Sequence, residues 1–189
     1  MPASGSRRLL LGWGLAITVG GSLRAAESLG DSSMNFRDPD VAKRLWVVND
    51  GVMGGVSQSR LRYDPEGVVF EGEVSLRNNG GFASLRGPLA VAPATTALEL
   101  STRGDGKRYR LLLRMDTGQG APSYQSDFDA VGLQTHRFAA TDFQATFRGR
   151  LVDAAPLVFS RVKEFGILIA DKQEGPFVLQ LRHIEAPAQ

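Results

Sequence analysis

The sequence predicts an all-β protein, with a single antiparallel sandwich over residues 35–186 and an N-terminal leader at 1–30. Two observations carry this prediction. The 189 residues include 22 Gly and 9 Pro, spread along the chain, which favours short elements joined by turns over long helices. Several segments alternate apolar and polar residues with a period of two, which is typical of strands with one buried face. Helical spacing is confined to one turn near residues 39–45.

The first thirty residues have the layout of an export signal. Three arginines stand against a single acid, Glu27, and the apolar stretch at 9–19 is shorter than the ~20 residues of a transmembrane helix. Arg7 and Arg8 precede that stretch in the manner of a twin-arginine signal, so we expect export to the periplasm. A mitochondrial presequence is one alternative, and a cytoplasmic protein that begins at Met34 is another. We expect no transmembrane span in the rest of the chain.

Four segments show the clearest alternation, and five weaker ones bring the expected total to nine strands. The clear ones are 67–76, 107–115, 165–170 and 177–184. The weaker ones are 56–63, 82–86, 97–102, 133–138 and 157–162. Turn signals at 64–67, 78–81 and 103–106 separate strands, and the loop 171–176 predicts that the last two clear strands form a hairpin. Nine strands at this spacing indicate a sandwich or a barrel.

The apolar faces of the clear strands define the expected core. Eight residues at alternating positions are predicted to be buried: Phe70, Val74, Leu111, Leu113, Ile167, Ile169, Leu179 and Leu181. They should lie between the two layers of the sandwich, because the inward side chains of both layers form its core.

The composition excludes several classes of site. The chain has no Cys, which rules out disulfides, thiolate metal sites and a cysteine nucleophile. Its two histidines, His136 and His183, lie far apart in strand-like segments, so we expect neither a metal nor a cofactor. The formal net charge of +2 comes from the leader, which leaves the remainder neutral. A nucleic-acid partner is therefore not expected.

The motifs of nucleotide-binding and hydrolytic enzymes are also missing from the sequence. The glycines at 51–55 lack the spacing of a dinucleotide-binding loop, and no Walker loop, nucleophile elbow or paired-histidine zinc helix is present. We therefore expect a protein that is not an enzyme, with no catalytic residues. A hydrolase would require Asp50 and Asp171 to form a carboxylate pair, about 5–10 Å apart across an open cleft.

Residues 46–57 form the most specific feature of the sequence. Asn49 and Asp50 precede three glycines within five residues, and two more glycines follow at 80–81. This pattern predicts a tight loop between two strands, in which at least one glycine has a positive φ angle. We assign a structural role in this loop to Trp46, Gly51, Gly54, Gly55, Gly80 and Gly81.

Eight residues are candidates for contact with a ligand or partner: Asn49, Asp50, Ser57, Arg86, Tyr124, Phe128, Arg148 and Asp171. The polar residues of the loop either bind a ligand or satisfy the loop backbone, and we favour the second. Arg86 and Arg148 either capture an anion or pair with a carboxylate such as Asp50 or Asp171, and again we favour the second.

The aromatic candidates differ in their expected exposure. Tyr124 and Phe128 lie in a polar segment typical of a loop, so they should be accessible to a partner. Trp46 is flanked by apolar residues and is expected to fill the core, with a sugar-stacking platform as the alternative.

The segment WVVNDGVMGGVS at 46–57, together with 78–86, 147–150 and 171–177, resembles the complex I intermediate-associated protein family, which comprises assembly factors of NADH:ubiquinone oxidoreductase. The resemblance covers most of the chain after the leader. It implies a jelly-roll β-sandwich of the galactose-binding-like type. It also implies a non-catalytic chaperone or scaffold, whose partner is a protein such as an assembly intermediate of a membrane complex. The alternative is an exported glycan- or small-ligand-binding jelly roll, with a small carbohydrate as its ligand.

Overall fold

The computed structural model describes Met1 and residues 34–187, so the predicted leader beyond Met1 lies outside the described residues. The described part contains eleven strands, one helical turn α1 (Pro39–Ala42) and four 3-10 turns. The strands are β1 (Met34–Asn35), β2 (Trp46–Asn49), β3 (Gln58–Asp64), β4 (Gly67–Val74), β5 (Ala83–Pro88), β6 (Ala97–Arg114), β7 (Ser123–Ala139), β8 (Gln144–Phe147), β9 (Arg150–Leu151), β10 (Glu164–Ile169) and β11 (Gly175–Glu185). The 3-10 turns are Asp50–Met53, Arg77–Asn79, Ala140–Asp142 and Phe159–Arg161.

The strands form one continuous antiparallel ladder. Its order is β2-β5-β10-β6-β11-β4-β3, and β1 pairs with the end of β11. From the other edge of β6, the ladder continues through β7, β8 and β9.

The long hairpin of β6 and β7 divides this ladder into two layers. Residues 110–114 of β6 pair with β10, whereas residues 99–104 pair with β11, so β10 and β11 follow one another along the same edge of β6. The first layer continues from β10 to β5 and β2, and the second continues from β11 to β4 and β3. The two arms fold over each other, because β3 contacts both β2 and β5. The result is a jelly-roll β-sandwich, which confirms the predicted fold class.

The core lies between these layers. All eight residues predicted to fill it are fully buried. Phe36, which follows β1 in the second layer, packs edge-on against Phe165 of β10, with 5.7 Å between the ring centroids. This contact joins the second layer to the first.

Segment 103–106, predicted as a turn, lies within strand β6 instead. The strand runs through this segment with a bulge between Asp105 and Arg108. The Asp105 carboxylate accepts hydrogen bonds from the backbone N–H of Val178 at 2.9 Å and from the Tyr109 hydroxyl at 3.1 Å. A bulge with an added turn-forming residue gives the same sequence pattern as a hairpin turn, which explains the error.

Strands β10 and β11 do not form the predicted hairpin, because both pair with β6 instead. Gln173 fills the gap between them. Its amide oxygen accepts from the backbone N–H of Arg108 at 3.0 Å, and its amide nitrogen donates to the carbonyl oxygens of Arg108 at 2.7 Å and Ala170 at 3.0 Å. The Gln173 side chain thus pairs with β6 as the backbone of a strand residue would.

Segment 157–162, predicted as a strand, is instead a loop with a 3-10 turn at Phe159–Arg161. Its apolar residues Leu157, Phe159 and Val162 are buried and anchor this loop in the core. A short apolar run has the same composition in a buried strand and in such an anchor, so composition alone does not separate them. Within the residues that the structure describes, no helix is long and apolar enough to cross a membrane.

Candidate functional site

The glycine-rich loop between β2 and β3 is built around one buried carboxylate. Asp50 opens the 3-10 turn after β2 and is 1% exposed. Its Oδ1 accepts a hydrogen bond from the Ser57 N–H at 2.9 Å, and its Oδ2 accepts one from the Ser57 hydroxyl at 2.5 Å. Oδ2 also accepts from the backbone N–H groups of Gly81 at 2.6 Å and Phe82 at 3.3 Å. The carboxylate therefore joins the loop before β3 to the loop before β5.

The partners of Asp50 correct the prediction that it pairs with Arg86 or Arg148. Among the described residues, no arginine contacts this carboxylate, and all its hydrogen bonds come from Ser57, Gly81 and Phe82. Burial opposes ionisation, but these hydrogen bonds outweigh it and hold the pKa of the Asp50 carboxyl below its ordinary value. Backbone donors stabilise the anion without burying a second charge.

The carboxylate also explains two of the glycines. A Cβ atom on Gly55 would overlap the carboxyl group of Asp50, and one on Gly80 would lie 2.5 Å from its Oδ2. Gly54 has a φ angle of 89°, which confirms that at least one loop glycine adopts a positive φ. Gly51 differs, because a Cβ there would meet nothing within 4 Å.

The loop presents two apolar side chains to solvent. Val52 and Met53, here called the apolar tip, are each 75% exposed. The backbone below them is held on both sides, since the Ser57 hydroxyl accepts from the Ser75 N–H at 2.9 Å and Asn49 Oδ1 accepts from the Ser59 hydroxyl at 2.5 Å. Exposed apolar side chains on a fixed backbone suit a contact with a partner.

A second surface lies on the outward side of the first layer. Trp46 of β2 lies directly opposite Arg86 of β5, and Arg86 lies opposite Gly166 of β10. These three residues point outward, because Leu85 and Ile167, their neighbours along the strands, are fully buried. We call the surface formed by Trp46, Arg86 and Gly166 the Trp46 face.

Trp46 is 43% exposed, which corrects the expectation that it fills the core. Alternation along β2 is the reason. Val47, the next residue, packs against the core, so Trp46 must point to the other side of this edge strand.

An acid between two arginines borders the Trp46 face. Glu164 of β10 lies 3.8 Å from Arg86 and 3.6 Å from Arg114 of β6. Burial lowers the pKa of the Arg86 guanidinium, Glu164 opposes this effect, and Arg114 adds to it. One carboxylate balances two guanidinium groups, so this cluster carries one positive charge in excess.

Tyr124 and Phe128 are not accessible, contrary to the prediction. Both lie in β7 and are buried, and the Tyr124 hydroxyl donates a hydrogen bond to the carbonyl oxygen of Ala155 at 2.6 Å. The polar residues that suggested a loop, such as Gln125 and Asp127, occupy the outward face of this strand. The alternation therefore belonged to a strand with one buried side.

Neither Arg148 nor Asp171 is a hydrogen-bond partner of Asp50. Arg148 has a φ angle of 50° in the turn between β8 and β9, with its guanidinium carbon 5.4 Å from the centre of the Phe147 ring. Asp171 accepts a hydrogen bond from Arg110 at 2.5 Å. The carboxylates of Asp50 and Asp171 are thus held by separate sets of donors, and the buried Asp50 carboxylate does not face the open cleft that a hydrolase pair requires. In the part of the chain that the structure describes, no group of three or more His, Asp and Glu side chains could hold a metal ion.

Sequence reasoning missed Val52, Met53, Glu164 and Arg114. The first two lie among glycines, and this position at a loop tip was the available signal for their exposure. Glu164 and Arg114 could be placed on outward faces by alternation, but only the pairing register brings them together across the sheet.

The fold defines a class of protein, the jelly-roll β-sandwich, and in this chain the apolar tip and the Trp46 face are its candidate surfaces. Within that class, the sequence model for Complex I intermediate-associated protein 30 (CIA30) matches residues 34–181. The chain therefore belongs to this family, as the sequence signature suggested. No curated protein sequence matches it.

Solved structures with the same fold include carbohydrate-binding modules. The family 11 module of a cellulosomal cellulase from Clostridium thermocellum has 9% sequence identity and a TM-score of 0.53, with 77% of this chain and 88% of that chain covered. A family 11 module of the same organism in complex with a β-1,3-1,4-mixed-linked tetrasaccharide has 10% identity, a TM-score of 0.51, and coverage of 77% and 89%. A solution structure of a CtCBM11 module has 10% identity, a TM-score of 0.57, and coverage of 86% and 99%. At these identities the likeness concerns the fold.

Proposed function

We propose that this protein is a non-catalytic assembly factor for a membrane-associated protein complex of the NADH:ubiquinone oxidoreductase type, and that it contacts its partner through the apolar tip. Membership in the complex I intermediate-associated protein family supports an assembly role. The observation that carries the site is the exposure of Val52 and Met53 on a backbone fixed by Asp50.

The energetics of the tip favour a protein contact. Burying an apolar side chain of this size contributes about 1.5–3 kcal/mol, and neither Val52 nor Met53 obtains that contribution in the free protein. A loop that is already ordered loses little conformational entropy on binding. The hydrogen bonds that Asp50 accepts from Ser57, Gly81 and Phe82, here called the Asp50 network, therefore stabilise the loop in a conformation that can bind a partner.

A crosslinking experiment tests this function. A photoreactive amino acid at position 52 of the full chain, expressed in its own host, should crosslink to a subunit of the oxidoreductase or of its subassemblies. The double variant V52S/M53S should retain the melting temperature of the parent and lower the amount of assembled complex on a native gel. V131S/L133S is the matched control, because Val131 and Leu133 of β7 are also exposed apolar residues. Normal complex levels with V52S/M53S, or crosslinks only to unrelated proteins, would contradict the proposal.

A second function, binding of a saccharide on the Trp46 face, is favoured by the exposure of Trp46 beside Arg86. Solved structures with this fold include carbohydrate-binding modules, one of them with a mixed-linked tetrasaccharide. The chain has two tryptophans, Trp13 and Trp46, so W13F leaves Trp46 as the single indole fluorophore. Saturable change of this fluorescence on addition of saccharides, with loss of binding in W46A by calorimetry, is the expected result. A flat response to every neutral and acidic saccharide tested would refute this second function.

A further inference from the structure

Arg86 has hydrogen-bonding capacity that the protein does not use. Among the described residues, its guanidinium makes no hydrogen bond, and its contact with Glu164 at 3.8 Å is an ion pair without one. A guanidinium has five N–H donors in a planar fork. The Arg86 side chain is 30% exposed, and no buried side-chain nitrogen among the described residues lacks a partner, so the free donors of this fork are open to water or to a ligand.

The Arg86 side chain lies over β10, on the outward side of the first layer, and reaches Glu164. Gly166 has no side chain, and a Cβ there would lie 3.5 Å from Cγ of Arg86, so the aliphatic stem of the arginine runs over this glycine. Trp46 borders Arg86 on the other side as its direct cross-strand neighbour. The exposed indole of Trp46 and a guanidinium without a hydrogen bond among the described residues therefore lie on the same face, on neighbouring strands.

The local charge selects the kind of ligand. Arg86, Arg114 and Glu164 together carry one positive charge in excess. Asp116 and Lys163 adjoin this cluster, and their opposite charges leave the excess unchanged. The next acidic residue across the sheet, Asp127 of β7, is three strands from Arg86, which is roughly 14 Å at the usual strand spacing. That separation exceeds the Debye length of about 8 Å at physiological salt. An anionic group at Arg86 thus meets a net positive field.

We infer that the Trp46 face binds an acidic saccharide, with its carboxylate held by the guanidinium fork of Arg86 and its ring against Trp46. This inference rests on the second proposed function, saccharide binding, and adds the charge of the ligand. Two parallel N–H···O bonds match the geometry of a carboxylate, which a lysine ammonium does not provide. Glu164 competes with the ligand for the same cations.

Trigalacturonate is the probe, and its methyl ester, which has the same rings without charge, is the matched neutral ligand. In the W13F chain, trigalacturonate should change Trp46 fluorescence at concentrations at least about fivefold lower than the ester. Added salt should weaken binding of the acid and leave binding of the ester unchanged. Sodium acetate alone should bind far more weakly, because it lacks the ring that contacts Trp46.

Three variants separate the contributions of the cluster. R86K retains the positive charge but loses the planar fork of N–H donors, and should weaken the binding of trigalacturonate about fivefold or more. R60K is its control, because Arg60 is an exposed, ion-paired arginine on the second layer. E164Q removes the competing carboxylate and should strengthen the binding of trigalacturonate up to about fivefold. Melting temperatures of all variants identify any that are unfolded.

The outcomes are distinct from those of the saccharide function itself. If the acid and its ester bind equally well, or if R86K and R60K have equal effects on binding, the inference of an acidic ligand is refuted. The proposal of saccharide binding then remains. No response to trigalacturonate, with binding of the neutral mixed-linked tetrasaccharide, also overturns the inference of an acidic ligand. No response to any saccharide overturns both. Tighter binding of the acid that E164Q enhances and R86K weakens supports the inference.

Discussion

Asp50→Asn should destabilise the protein, because the carboxylate accepts bonds on both oxygens. Three of its four hydrogen bonds reach Oδ2, so an asparagine will place its carbonyl oxygen there and its amide nitrogen at Oδ1. That nitrogen then faces the backbone N–H of Ser57, and two donors oppose each other. A buried unsatisfied donor costs about 1–3 kcal/mol, and loss of the charge weakens the remaining bonds. We expect a total loss of about 3 kcal/mol in the free energy of unfolding.

Thermal and urea unfolding of the full chain measure this loss. For a domain of this size, 1 kcal/mol corresponds to about 2–4 °C, so the melting temperature should fall by roughly 6–12 °C. Asp127→Asn is the control, because the Asp127 carboxylate is about half exposed and pairs with Arg110 on the surface. Its cost should stay below about 1 kcal/mol. A melting temperature of D50N within about 2 °C of the parent, or loss of partner binding at unchanged stability, would refute the structural role of Asp50.

Three other predictions concern the same framework. Alanine substitution should lower the free energy of unfolding by at most about 0.5 kcal/mol at Gly51 and by about 1 kcal/mol at Gly54, where φ is positive. The loss should be largest at Gly55, beside the buried carboxyl. Equal losses at the three positions in urea unfolding would contradict this order. The folded pKa of Asp50 is lowered, so its contribution to stability is present above about pH 4 and is lost as the pH falls through the folded value. The melting temperature of the parent should therefore fall on acidification in that range more steeply than that of D50N. Gln173→Glu replaces an amide donor that faces two carbonyl oxygens, and should cost about 1–3 kcal/mol in the same assay.

The strands and core could be predicted because alternation is a local property. Phe70 and Val74, or Ile167 and Ile169, occupy one face of their strands in any antiparallel sheet, and burial of that face follows from hydrophobicity. The tight loop could also be predicted, since positive φ at Gly54 depends on the local glycine pattern. These features require no knowledge of which strands are neighbours.

The candidate site could not be predicted to the same extent, because it depends on contacts across the sheet. Asp50 is held by N–H groups of Gly81 and Phe82, which lie about thirty residues further along the chain. Nothing in the local sequence distinguishes these donors from an arginine, and the expected Asp50–Arg86 pair was wrong for this reason. The contact of Glu164 with Arg86 likewise follows from the register of β10 on β5.

The two proposed surfaces share strands but can be tested separately. Along β2 and β5, the pair Trp46–Arg86 lies at one end and the pair Asn49–Ala83 lies at the other, three residues away. At about 3.3 Å per residue, roughly 10 Å separates the Trp46 face from the start of the loop. The Asp50 network fixes the loop end of these strands, whereas Trp46 and Arg86 are fixed by backbone pairing. Variants of the apolar tip should therefore leave the Trp46 fluorescence response to trigalacturonate intact. R86K should in turn leave the amount of assembled complex unchanged, and a variant that impairs both readouts would indicate a single shared surface.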